Sequence, residues 1–185
     1  MNLWRDIPPG PDAPNVVYVV VEIPKGSRNK YEFDKKLGAI RVDRVLYSSM
    51  VYPGDYGFVP QTMYDDGDPL DIFVMNNEPT FPGCIISARP IGLFRMKDKG
   101  EPDDKILAVN VGDPFFRDYH DIADIPQHFL AECGHFFATY KDLEGVFVKT
   151  LGWERAANAE QRIAYGIEAY KKMLAGEKKK ARRKS

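Results

Sequence analysis

Sulfur chemistry is scarce in this chain: Cys84 and Cys133 are the only two cysteines in 185 residues, and they form no CxxC and no Cys/His zinc spacing. That pattern argues against a disulfide framework and a zinc module, and each cysteine reads as a small buried hydrophobe in its apolar setting. Long hydrophobic runs are also missing. No stretch of about 18 apolar residues occurs, so no segment reads as a membrane helix. The opening MNLWRDIPPGPDAPN has neither the charged-then-apolar order of a signal peptide nor the character of a transit peptide, and a cytoplasmic location is the expectation. No repeat and no second domain is visible. Residues 1–175 are expected to form one domain, large enough for a real core.

Net charge is nearly absent too, at −1, but the balance is uneven. The last ten residues, GEKKKARRKS, hold six Lys or Arg against one Glu, which leaves 20 basic and 26 acidic residues in the body. Residues 176–185 read as a basic, disordered tail. No aromatics interleave with its basic residues, so it lacks the stacking platform of a nucleic-acid binder, and no nucleic-acid partner is expected.

The apolar fraction of 44% is ordinary for a globular protein, and it is distributed in two styles. The first two thirds carry short β-branched or aromatic runs: 16–23, 30–33, 39–43, 71–75, 84–88, 92–96 and 106–111. After Pro126 the apolar positions 129, 130, 133, 136, 137 and 140 take up helical spacing, which predicts a helix over 126–143. A short strand over 147–149 and a last helix over 155–174, with the stripe Ile163, Ile167, Tyr170 and Leu174, complete the chain. Strands first and helices afterwards predict an α+β fold, with helices packed on a mainly antiparallel sheet or barrel.

The stretch YDDGDPLDIFVM, residues 64–75, crowds Asp65, Asp66, Asp68 and Asp71 into seven residues. Pro69 lacks an N–H and cannot sit inside a central ladder, so the acids form a turn that feeds a strand. Like charges so close stay together only if water or cations absorb them. Carboxylate oxygens at a strand mouth suit hard cations such as magnesium or manganese. Other polar residues sit awkwardly beside apolar strands: Glu22, Lys30 and Glu32, Arg44, Tyr52 and Tyr56 around a Pro-Gly turn, and the charged loop 97–105. Tyr140 and Lys141 follow on the first helix. Carboxylates for cations, together with Lys, Arg and Tyr donors for an anion, are what a metal-carried phosphate compound requires.

The hexapeptide Asp66-Gly-Asp68-Pro-Leu-Asp71 resembles the Asp-x-Asp-Pro-x-Asp signature of the soluble family I inorganic pyrophosphatases. VVVEIPKGSRNKYEFD, VDRVLYSSMVYPGDYGFVPQT, PGCIISARPIG and HFFATYKDLEG resemble the same family in the same order, across roughly residues 1 to 155, in the style of its prokaryotic and particularly archaeal branch. The resemblance implies a five-stranded OB-like antiparallel barrel with flanking C-terminal helices, and hydrolysis of pyrophosphate to two phosphates. It also implies roles for the matching residues. Asp66, Asp71 and Asp103 correspond to ligands of the first activating metal, with Asp71 bridging to the second. Asp98 and Asp103, with Glu32, correspond to ligands of metals that arrive with substrate. Asp68 corresponds to the general base. Lys30, Arg44, Tyr56, Tyr140 and Lys141 correspond to phosphate-binding groups, and Glu22, Tyr52 and Lys105 to a supporting shell. By the same resemblance, several Mg2+ ions serve each active site, with Mn2+ or Zn2+ as substitutes and Ca2+ inhibitory, and the assembly is a homohexamer of stacked trimers.

Two departures bear on assembly rather than chemistry: Asn110 stands where relatives usually have proline, and Thr139 where some bacterial members carry histidine, although His135 is retained. Rival readings fit less well. An EF-hand loop begun at Asp66 would place Leu70 and Asn77 at ligand positions. A nucleotide hydrolase would need features to hold a base or ribose, and few are present.

Overall fold

The computed structural model describes residues 1–182, and its organisation follows from how each apolar run is shared between neighbours. Five strands close a ring in the order β1 (Val17–Ile23), β4 (Asp55–Val59), β5 (Leu70–Met75), β8 (Lys105–Asn110) and β6 (Ile85–Asp98), with β6 returning to β1. Four of the pairings are antiparallel, and β5 with β8 is parallel. The hairpin of β2 (Asn29–Asp34) and β3 (Ala39–Val45) stands apart as a two-stranded sheet, and β9 (Val148–Arg155) extends β6.

Side-chain alternation divides the ring strands between distinct apolar clusters. On β5, Phe73 and Met75 face a cluster that holds Phe136 and Phe137 of α1 (Gln127–Thr139). Leu70, Ile72 and Val74 face another that takes in Ala159 and Ile163 of α2 (Ala156–Arg182). Both faces of β5 are therefore covered, and the run reads as continuously apolar for that reason. Where β1 and β4 cross there is no room for a side chain: a Cβ on Gly57 would lie 2.0 Å from the carbonyl oxygen of Val20.

The segments expected at 84–88 and 92–96 are one 14-residue strand. Pro90 does not end it, because the register against β8 shifts between Pro90 and Gly92, so the missing N–H falls at a bulge. The charged loop 97–105 is a hairpin in which the end of β6 pairs with β7 (Glu101–Pro102). The first helix stops at Thr139 rather than Leu143. Tyr140 and Lys141 leave it, and a 3-10 turn over Asp142–Glu144 ends at left-handed Gly145. The strand expected at 147–149 extends to Arg155.

Residues 176–182 of the expected basic, disordered tail are described as helix. Helix α2 continues to Arg182, since after Gly176 the residues are Glu, Lys, Ala and Arg, all good helix formers. Arg5 also pairs with Glu177 at 2.9 Å. Residues 183–185 of that expected tail lie outside the described residues. Among the described residues no helix is long and apolar enough to cross a membrane.

Candidate active site

A cleft of about 500 Å3 opens between the mouths of β5 and β8, the β2–β3 hairpin and the C-terminal end of α1. Glu22, Lys30, Glu32, Tyr52, Tyr56, Asp66, Asp68, Asp71, Asp98, Asp103, Lys105, Tyr140 and Lys141 all line it. Arg44 is the one residue of the expected set outside the lining. It lies opposite Lys30 in the hairpin, where its guanidinium contacts Asp43 at 2.5 Å and Glu144 at 2.8 Å.

The acids arrive from three directions. Asp71 is the second residue of β5, directly after the turn. In that turn Asp66 Oδ1 accepts from the Asp68 N–H at 2.9 Å, which folds the acidic segment back on itself. Asp98 ends β6, and Asp103 lies between β7 and β8. Lys105 begins β8, is buried, and donates to both Asp71 and Asp103 at 2.5 Å. Burial works against its charge, but the two carboxylates more than offset that, and its pKa is raised. Lys141 meets Asp98 at 2.5 Å, and Lys30 meets Glu32 at 2.6 Å. Lys141 is held in its charged form in the same way, with Tyr140 and Asp98 outweighing burial.

Glu22 accepts a backbone N–H from Phe33 at 2.7 Å. Burial pushes its pKa up to about 8, and Asp71 and Glu32 add to the rise, so it carries a proton at neutral pH in this arrangement. Burial raises the phenols of Tyr52 and Tyr56 as well, with Asp71 contributing, which keeps both as neutral O–H donors. Tyr52 packs 5.5 Å from Tyr56 and 6.5 Å from Tyr140, ring centre to ring centre, so the tyrosines form one apolar-backed wall.

Nine carboxyl groups, protonated Glu22 among them, and five lysines line the cleft, which leaves an excess of negative charge that polyanion binding must overcome. Among the described residues no three Asp, Glu, His or Cys side chains close round one point, because ammonium groups stand between the acids. The donors nevertheless fit a hard divalent cation. They are all oxygen, Asp71 and Asp103 face a common positive centre at Lys105, and the buried Oδ1 of Asp98 has no hydrogen-bond partner.

Two contacts were not legible in advance. Lys35, at the hairpin turn, bonds Asp68 and reaches the Gly67 carbonyl at 3.2 Å. It is out of phase with Lys30 and Glu32 because it follows the end of β2, so strand alternation gives no signal for it. Tyr64, at the edge of the acidic stretch, is buried, and its hydroxyl accepts from the Asp104 N–H at 3.3 Å.

The sequence profile of the family described as inorganic pyrophosphatase matches residues 19–171. The inorganic pyrophosphatase of Haloferax volcanii is 51% identical over 176 residues, spanning 95% of this chain and 99% of that protein. The soluble inorganic pyrophosphatase 1 of Arabidopsis thaliana is 50% identical over 167 residues, 90% of this chain and 79% of its own length. Identity thus does not separate the archaeal relative from the plant one. The crystal structure of inorganic pyrophosphatase from Thermus thermophilus superposes with a TM-score of 0.90 at 43% identity, covering 92% of this chain and 99% of that one. The ring of five strands with two C-terminal helices is accordingly an OB-like α+β fold. The chain belongs to the inorganic pyrophosphatase family, hydrolases that convert pyrophosphate to phosphate.

Proposed function

We propose that the cleft hydrolyses pyrophosphate by in-line attack of water, with Asp68 as the proton acceptor and divalent metal as the required cofactor. The observation that carries this reading is the excess of carboxylates over lysines in a cleft that also holds neutral phenol donors. Asp66, Asp71 and Asp103 would hold the first metal, with Asp71 shared with a second, while Asp98 and Glu32 join Asp103 in receiving metals that enter with substrate. A bound divalent cation would neutralise the phosphate oxygens and lower the pKa of a coordinated water.

The remaining steps belong to side chains of this chain. Asp68 stands in the turn before Pro69, exposed to the cleft, and takes the proton of the attacking water. Lys30, Tyr56, Tyr140 and Lys141 donate to phosphate oxygens. Arg44 joins them by exchanging its Asp43 and Glu144 contacts for phosphate. Lys105, Tyr52 and Glu22 keep the acids apart and oriented. With cations held by the carboxylates, the lysines that now pair with them would be free to meet the substrate. Pyrophosphate is favoured over a nucleotide because Tyr52, Tyr56 and Tyr140 are packed into the core and offer no free face to a base.

We further infer magnesium as the working ion, with manganese or zinc as substitutes and calcium as an inhibitor, since calcium accepts looser and longer coordination. The working form is taken to be a cytoplasmic homohexamer built on residues 1–175, with neither membrane nor nucleic acid as a partner. Phosphate release from pyrophosphate, tripolyphosphate and ATP, measured with magnesium, with calcium and with chelator, tests the chemistry. Release from pyrophosphate with magnesium alone is expected. Equal rates with calcium, or a preference for ATP, would overturn the assignment. Sedimentation equilibrium tests the hexamer.

A further inference from the structure

The acidic turn is strapped to α2 by contacts that involve none of the residues assigned above. Met63 N–H donates at 3.0 Å to the carbonyl of Gly166, in the middle of that helix. Gly166 allows this approach, because a Cβ there would lie 2.5 Å from Leu70 Cδ1. One turn earlier, the Arg162 guanidinium lies over the Tyr64 ring at 3.9 Å and donates to Asp65 Oδ2 at 3.0 Å. Tyr64 in turn accepts from Asp104 N–H through its hydroxyl, and its own N–H donates to the Asp68 carbonyl at 2.7 Å. Tyr64 and Asp104 thus form part of the wall between the catalytic cleft and a second cavity of about 350 Å3, which Arg162 lines from the far side.

One side chain therefore bears on two of the segments that carry candidate metal ligands, the turn with Asp66 and the residue next to Asp103. We propose that Arg162 is a positioning residue, which sets the separation of Asp66 from Asp103 through Tyr64 and Asp65. The proposal rests on the site reading given above. The Asp65 carboxylate is half exposed, so the ion pair itself adds little stability. Its effect is geometric: residues that orient metal ligands from behind change metal affinity more than they change folding.

The test is manganese affinity of the substrate-free protein, measured by isothermal titration calorimetry. Arg162→Met keeps the length of the stem but removes both the charge and the planar stack. It is expected to weaken manganese roughly tenfold, with faster amide exchange across 62–68 and little change in Tm. Arg162→Lys, which can still pair with Asp65 but cannot lie flat on Tyr64, is expected to recover only part of the loss. Tyr64→Phe, which keeps the ring under Arg162 but removes the hydroxyl that accepts from Asp104 and interacts with Arg162, is expected to weaken manganese in the same direction and serves if Arg162→Met does not fold. Asp66→Asn separates this idea from the one beneath it. If Asp66→Asn loses manganese while both Arg162→Met and Tyr64→Phe bind it as the parent does, Arg162 is no positioning residue. If Asp66→Asn also binds normally, the metal assignment itself falls.

Discussion

Asp55 and the carboxylates of the cleft differ in what holds their charge. Asp55 is fully buried at the start of β4, and its oxygens accept from the Lys25 N–H at 2.8 Å, Asn76 Nδ2 at 2.8 Å, and the Thr80 hydroxyl and N–H at 2.6 and 3.2 Å. Those partners are two backbone amides and two short side chains, all fixed in place. In the cleft, Asp71, Asp103, Asp98 and Glu32 are met by ammonium groups on long, rotatable stems, and one oxygen of Asp98 has no partner. A carboxylate saturated by rigid donors has nothing left to give a ligand. One balanced by a lysine can exchange that lysine for a cation. The comparison separates a structural acid from working ones, although both are Asp at the end of an apolar strand.

The sharpest way to test that difference is to neutralise a cleft acid without changing its shape. Asp68→Asn is expected to lower kcat at neutral pH by roughly 10²–10⁴-fold, with Tm and manganese binding near the parent values and partial recovery in alkaline medium. Asp71→Asn should instead raise the magnesium concentration needed for half activity. If saturating magnesium restored full rate to Asp68→Asn, then Asp68 would be a ligand and not the base.

The opposite failure is expected at the other region. Asp55→Ala leaves several buried donors without an acceptor and should cost on the order of 3–5 kcal/mol in urea unfolding. The fraction that remains folded should keep the parent metal dependence. A stability loss within ±0.5 kcal/mol would dissolve the contrast between the two kinds of acid.

A smaller effect follows from Glu22. Its folded pKa, about 8, lies above its unfolded value, so the folded state holds the extra proton between the two. Glu22's contribution to the stability of the metal-free protein is therefore fully present below its unfolded pKa and is lost as pH rises towards 8. Glu22→Gln should flatten that slope, shrinking the fall in Tm between pH 5 and 8 in chelator by about 3–6 °C. Parallel Tm curves for the two proteins would remove Glu22 from this account. The smallest effect is expected at the chain end. Deleting 176–185 removes the exposed Arg5–Glu177 pair, so it should cost less than about 1 kcal/mol and leave hydrolysis unchanged.

Much of this protein was determined by its sequence alone. The order of strands and helices follows from local periodicity, which depends only on which neighbours are apolar. The acidic turn follows from Gly67 and Pro69, whose backbone restrictions act on the residues beside them. The clustering of acids at 65–71 and in loop 97–105 brought Asp66, Asp71, Asp98 and Asp103 to notice, and family resemblance supplied the roles expected of them. Tertiary structure alone decided three other things. It joined 84–88 to 92–96 through Pro90, since a bulge depends on the partner strand's register and not on the proline. It saturated Asp55 with donors from positions 25, 76 and 80, which no spacing relates to one another. It also laid Arg162 over Tyr64, 98 positions away, where a helix packs across the mouth of a strand. Such contacts come from the closure of the ring and the seating of α2 on it, and packing of that kind leaves no periodic trace in the chain.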